Sequence, residues 1–175
     1  MPRQIDLDRT YLEMAETWAN LSRAKRKKVG CLIVKDGAII SDGYNGTPRG
    51  FNNNCEDLLP AVGGRIMIDD EGDMVKGTFK LRTKPEVLHA ESNAITKLAK
   101  STQSSAGATM YITISPCVEC AKLIIQSGIK RVVFGEFYRS DEGIKLLKKS
   151  KIEVEEMSNI KKWKSKFNKS HERVN

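Results

Sequence analysis

The stretch TMYITISPCVECAKLIIQSG, residues 109–128, decides the fold. Thr109 to Ile114 is rich in β-branched and aromatic residues and reads as a strand. Ser115-Pro116 then opens a helix, with Ser115 as N-cap and Pro116 at the first helical position. The helix runs through Leu123, Ile124 and Ile125 and stops at Gly128. Cys117 and Cys120 stand three apart at its start, so they share a face. Another strand follows at Arg131–Phe134, a helix at 140–149 capped by Ser140, and a short strand at Ile152–Val154. This alternation predicts an α/β sandwich.

Working back toward the N-terminus, residues 89–100 read as a helix with Ala94, Ile95, Leu98 and Ala99 on one side. Residues 51–86 are irregular, and Gly63-Gly64, Gly72 and Gly77 punctuate short apolar pieces. A small protruding hairpin fits there, and a connection this long is usually functional or mobile. Residues 29–34 read as a strand buried on both faces, followed by the hairpin signal Lys35-Asp36-Gly37 and a returning strand from Ala38 to Asp42. Gly43-Tyr44-Asn45-Gly46 reads as part of a turn-rich segment. Residues 6–27 have helical spacing through Leu7, Tyr11, Ala15, Trp18 and Leu21, with Asp6 or Asp8 able to cap, and end in a basic loop.

The chain has 175 residues, which fits one domain. No apolar run approaches a membrane span, and the first residues lack the apolar core of a secretory signal. A membrane location is not expected, and the reading is a cytoplasmic protein. The net charge of +8 is unevenly placed. Residues 145–175 carry +6 of it, so the first 144 are nearly balanced. We read 1–157 as one domain and 158–175 as a basic tail.

Of four cysteines, Cys31 lies in an apolar run and reads as a core thiol, and Cys55 reads as a loop thiol. Cys117 and Cys120 differ in kind. A helix N-terminus lowers the cost of thiolates. Two thiolates and an imidazole with an open fourth position suit a catalytic zinc. His89 is the available imidazole, because the other histidine, His171, is in the tail. Glu91, two residues beyond His89, is placed to move protons beside the metal.

His89-Ala90-Glu91 followed by Pro116-Cys117-Val118-Glu119-Cys120 matches the zinc deaminase signature. The chain resembles the zinc-dependent cytidine and deoxycytidylate deaminases over roughly residues 7–155. Gly43-Tyr44-Asn45-Gly46 with Pro48, and the long insertion before His89, are similar to the deoxycytidylate branch. The resemblance implies a three-layer α/β/α sandwich around a five-stranded mixed sheet. It implies conversion of dCMP to dUMP and ammonia, with zinc held by His89, Cys117 and Cys120 and with Glu91 as the proton-transfer group. It also implies substrate contacts from Ala90 to the base and Asn45 to the sugar, and from Ser22 and Arg26 to the phosphate. Tyr138 and Arg139 are further substrate candidates. Arg23, Lys25, Lys27 and Lys28 read as a solvated basic loop.

The same resemblance implies a homo-hexamer activated by dCTP and inhibited by dTTP. That nucleotide, with Mg²⁺ on its triphosphate, would sit at Gly43, Tyr44, Asn45 and Gly46. The bland reading of those glycines is a simple turn. A second, structural zinc is not expected, because residues 46–88 contain only Cys55 and no histidine. Three alternatives remain at this level. They are a deaminase of another base, nucleoside or pterin, a nucleic-acid-binding module using the basic tail, and a purely structural zinc protein. The preferred anionic partner is a nucleotide and not a polymer.

Overall fold

The computed structural model describes residues 2–60, 67–68, 74–76 and 79–157. The tail assigned to 158–175, with His171, lies outside them. Leu32 and Val34 face one way and Cys31 and Ile33 the other, and all four are buried. That double burial is what a central strand requires. The strand is β1, Gly30–Lys35, and it pairs antiparallel with β2, Ala38–Tyr44. On its other side β1 pairs antiparallel with β7, Thr109–Ile114. Beyond β7 the sheet turns parallel, through β8, Arg131–Glu136, to β9, Glu153–Glu156. The order β2-β1-β7-β8-β9 is the expected five-stranded mixed sheet.

Helices cover both faces. On one, α1 (Gln4–Ala19) lays Leu12 and Ala15 against Leu32, Val34, Tyr111 and Val133. On the other, α2 (Ala90–Leu98), α3 (Val118–Gln126) and α4 (Glu142–Lys149) bury Ala94, Ala121, Ile124 and Leu147 with Cys31, Ile33, Met110, Ile112 and Val132. This is the three-layer α/β/α arrangement. Cys31 is the core thiol the sequence suggested.

Several boundaries differ from the sequence expectations. The first helix starts at Gln4 and ends at Ala19, so Asp6 and Asp8 lie inside it and do not cap it. Asp8 is instead buried, with Arg131 forming two hydrogen bonds to its carboxylate at 2.8 Å and Tyr111 donating a third at 2.7 Å. Ser115 does not cap α3. Its hydroxyl accepts the Tyr138 N–H at 2.8 Å, and the helix begins only after Cys117. Asp141, not Ser140, stands at the N-cap of α4, although the Ser140 hydroxyl accepts the Glu142 N–H at 3.3 Å. Gly43 and Tyr44 continue β2 instead of turning.

Between β2 and α2 the chain forms two antiparallel pairs. One joins β3, Glu56–Pro60, to β6, Phe79–Thr83. The other joins β4, Met67–Ile68, to β5, Met74–Lys76. Among the described residues, no helix is long and apolar enough to cross a membrane.

Candidate active site

His89 is the N-cap residue of α2 and Cys117 is the N-cap residue of α3. Both have extended backbone, and neither makes a side-chain capping bond. Extended geometry frees His89 from the helical register. It can therefore turn toward the same point as Glu91, which sits in the first turn. Cys120 follows three residues after Cys117 and is buried.

The His89 Nδ1 lies 3.5 Å from the Cys117 Sγ and 3.3 Å from the Cys120 Sγ, and the three donor atoms lie within 4.8 Å of one another. Zinc bonds of about 2.0 Å to nitrogen and about 2.3 Å to sulfur, at a tetrahedral angle, put those atoms about 3.5 Å apart. The donor chemistry and the spacing therefore both fit zinc. The electrostatics agree. Hydrogen bonds with Cys120 and His89 hold the Cys117 thiol far below its ordinary value, while the same sharing and burial push Cys120 up. The hydrogen bond to Cys117 raises the His89 imidazole, against the effect of burial. Two helix N-termini point their partial positive charge at this cluster, which favours thiolate.

Glu91 is 4% exposed, and burial raises its carboxyl above the ordinary carboxylate range. It lines a cavity of about 220 Å³ together with His89, Ala90 and Cys117. Two close backbone approaches set the walls. A Cβ on Gly43 would stand 2.1 Å from the Ala90 carbonyl oxygen, so only glycine lets β2 lie against the first turn of α2. A Cβ on Gly143 would stand 2.1 Å from the Pro116 carbonyl oxygen, so α4 can press on the segment that carries Cys117.

The remaining residues singled out from the sequence fall in different places. Asn45 lines the cavity, and its amide is braced, Oδ1 accepting the Val29 N–H at 2.8 Å and Nδ2 donating to the Lys27 carbonyl at 2.9 Å. Arg26 and Tyr138 also line it. Ser22 is 1% exposed and is not among the lining residues. Its hydroxyl donates to the Asn45 carbonyl at 2.7 Å and accepts the Ala24 N–H at 3.2 Å. Arg139 lies on an adjoining groove, its guanidinium 5.1 Å from the centre of the Tyr138 ring. Tyr44 contributes its carbonyl to the Asn93 amide at 2.7 Å, and Gly46 forms a two-bond bridge with Leu88.

Several lining residues were not anticipated, Cys55, Glu56, Thr83 and Lys27 among them. Cys55 lies in the loop just before β3, as the sequence suggested, and is fully buried in the cavity wall. Glu56 and Thr83 bring the β3–β6 pair to the same wall. Lys27 is exposed, as read from the sequence, and also lines the cavity, pairing with Glu136 at 2.6 Å. The only sequence signal for this wall was the basic run 22–28 lying upstream of a long insertion.

Residues 5–136 match the family described as the cytidine and deoxycytidylate deaminase zinc-binding region. The chain belongs to that deaminase family. The deoxycytidylate deaminase of Enterobacteria phage T2 is 36% identical over 151 residues, spanning 74% of this chain and 79% of that protein. The deoxycytidylate deaminase of Homo sapiens is 38% identical over 136 residues, spanning 75% and 67%. A crystal structure of dCMP deaminase from the cyanophage S-TIM5, in complex with dCMP and dUMP, superposes with a TM-score of 0.73 at 38% identity. It covers 89% of this chain and all of that one. The family's zinc-binding region thus includes His89, Cys117 and Cys120, the three residues whose donor atoms converge here.

Proposed function

We propose that this protein deaminates dCMP hydrolytically, taking up one water and releasing dUMP and ammonia. The observation that carries the reading is the His89, Cys117 and Cys120 cluster at a cavity that also holds the buried carboxyl of Glu91. Zinc held by the three ligands would lower the pKa of water toward neutrality. Glu91 takes a proton from the attacking water and delivers it to N3 of the cytosine. It then takes the remaining proton from the C4 hydroxyl and passes it to the amino group, so ammonia leaves as the C4 carbonyl forms and the carboxyl ends as it began. Its raised pKa suits a group that must both accept and give.

Ala90 is the first residue of α2, so its N–H has no partner within the helix and is available to the base. Asn45 is held at the cavity wall with one amide hydrogen beyond its bond to Lys27, suited to the sugar. Arg26 is the side chain we assign to the phosphate, with Tyr138 and Arg139 toward the rim. Ser22 supports this group by fixing the Asn45 carbonyl. Regulation by dCTP and dTTP, with Mg²⁺ on the triphosphate, belongs to the same proposal. Its support is that the Gly43–Gly46 segment lies directly on the first turn of α2, so a nucleotide there would act on the base site.

Ammonia release from dCMP, measured on protein whose zinc content has been determined, tests the reading. We expect turnover of dCMP in preference to cytidine and deoxycytidine. Zinc-loaded protein that fails to deaminate dCMP, with or without dCTP, overturns it.

A further inference from the structure

Glu56 is a buried acid whose hydrogen-bond partners among the described residues are backbone amides. The Lys25 N–H reaches both of its oxygens at 3.1 Å, and the Arg26 N–H reaches Oε1 at 3.2 Å. Directly across the β3–β6 pair stands Thr83. Its hydroxyl accepts a hydrogen bond from Arg26 Nη1 at 2.9 Å. One rung of the ribbon therefore grips the basic loop twice, Glu56 by its backbone and Thr83 by its guanidinium. Glu56, Thr83 and Arg26 all line the cavity.

Successive backbone N–H groups form a concavity suited to an anion. In this chain the Glu56 carboxylate already occupies it. An incoming phosphate is thereby left to the side chain of Arg26. A guanidinium has five donors, so its bond to a neutral hydroxyl fixes the plane and leaves the charge and the other donors for an anion. Burial of Glu56 keeps the grip intact, because water does not compete well for the two amides.

We propose that the Glu56–Thr83 rung is a positioning device that aims Arg26 at the phosphate of the bound nucleotide. It thereby sets the preference for a nucleoside monophosphate over the nucleoside. The inference rests on the dCMP reading and adds to it that the insertion helps to select the substrate. Glu56 and Thr83 touch the loop and act through Arg26; they are not catalytic residues.

The test compares the wild-type chain with Thr83→Val, Glu56→Gln and Glu56→Ala, each zinc-loaded. Two quantities are read: dCMP kinetics, and binding of dUMP against deoxyuridine. Thr83→Val changes an exposed position and keeps the side-chain shape. We expect it to raise KM for dCMP about tenfold with kcat within about twofold, and to weaken dUMP by the same factor. Deoxyuridine binding should not change. Glu56→Ala should go further, and Glu56→Gln, which keeps an acceptor for the loop, should lie between it and the wild type. An unchanged KM in Thr83→Val, or equal weakening of dUMP and deoxyuridine, overturns the inference. Wild-type protein inactive on dCMP overturns the dCMP reading instead, so the two failures are distinct.

Discussion

Gly46 and Leu88 exchange both of their backbone hydrogen bonds, at 3.1 and 2.9 Å, one residue before His89. The end of β2 is thus tied to the start of α2 on the side where the ligand cluster forms. Three residues earlier, Gly43 makes the same junction tight by bringing β2 against Ala90. A Gly43→Ala protein should therefore lose zinc as well as stability. Overpacking of this kind costs about 1–3 kcal/mol, and the displaced first turn carries His89 away from the thiols. Metal content per chain and the thermal midpoint check this. Full zinc occupancy at wild-type stability would contradict it.

Glu91→Gln keeps the size and shape of the side chain and replaces the titratable carboxyl by an amide that cannot carry a proton back and forth. Zinc content should stay at one per chain while turnover of dCMP falls about 10²–10⁴-fold, the usual contribution of general acid–base catalysis. Metal analysis beside ammonia release separates this from a structural defect. Loss of zinc in the variant would show that Glu91 helps to build the site and would remove its assignment as the proton carrier.

Metal removal should also be visible in stability. A ligand that binds only the folded state at one hundred times its dissociation constant adds about 2.7 kcal/mol. Chelation is expected to lower the thermal midpoint, and zinc to restore it. Cys120→Ala, which removes the most buried ligand, should give the low midpoint with or without zinc. A midpoint in Cys120→Ala that still rises with zinc would argue for different ligands.

Asp8 gives a pH prediction far from the site. Burial pushes its carboxyl up, but hydrogen bonds from Arg131, Tyr111 and Gln4 outweigh that and hold it below the ordinary value. A carboxyl lowered in the folded state adds stability that is present above its unfolded pKa, about 3.9. That stability is lost as pH falls through the folded value. Asp8→Asn should cost about 2–3 kcal/mol at neutral pH, somewhat less than a fully severed buried pair, because Arg131 keeps Glu153 and Glu155. Below about pH 4 the variant's stability should fall less steeply than the wild type's. Denaturant midpoints across pH 2–7 decide it, and parallel curves would contradict it.

The candidate cluster of three ligands and Glu91 was legible in the sequence because each half of it is local. His89 and Glu91 are two residues apart, Cys117 and Cys120 three, and both pairs sit at helix starts that the apolar spacing reveals. The sheet was legible for a similar reason, since β1, β7 and β8 are short apolar runs between turn signals. The far wall of the cavity was not. Glu56 meets Lys25 across 31 positions, and Arg26 meets Thr83 across 57. Polar residues in an irregular stretch carry no periodicity that announces such a pairing. The capping errors have a related cause. Ser115 has the right chemistry for an N-cap, but the Tyr138 N–H takes its hydroxyl, and that partner is 23 residues away.

Both helices that meet at the cluster begin without the side-chain oxygen that ordinarily terminates a helix. A candidate ligand, His89 or Cys117, stands in that place instead, so each helix gives up a contribution of about 1 kcal/mol. Newly made chain that has not yet met an ion would carry two adjacent frayed ends. Amide exchange there would be fast over Ala90–Ser92 and Val118–Cys120 and would slow on loading. Slower exchange on loading would mean that an ion at the cluster does for both helix starts what a capping side chain does elsewhere.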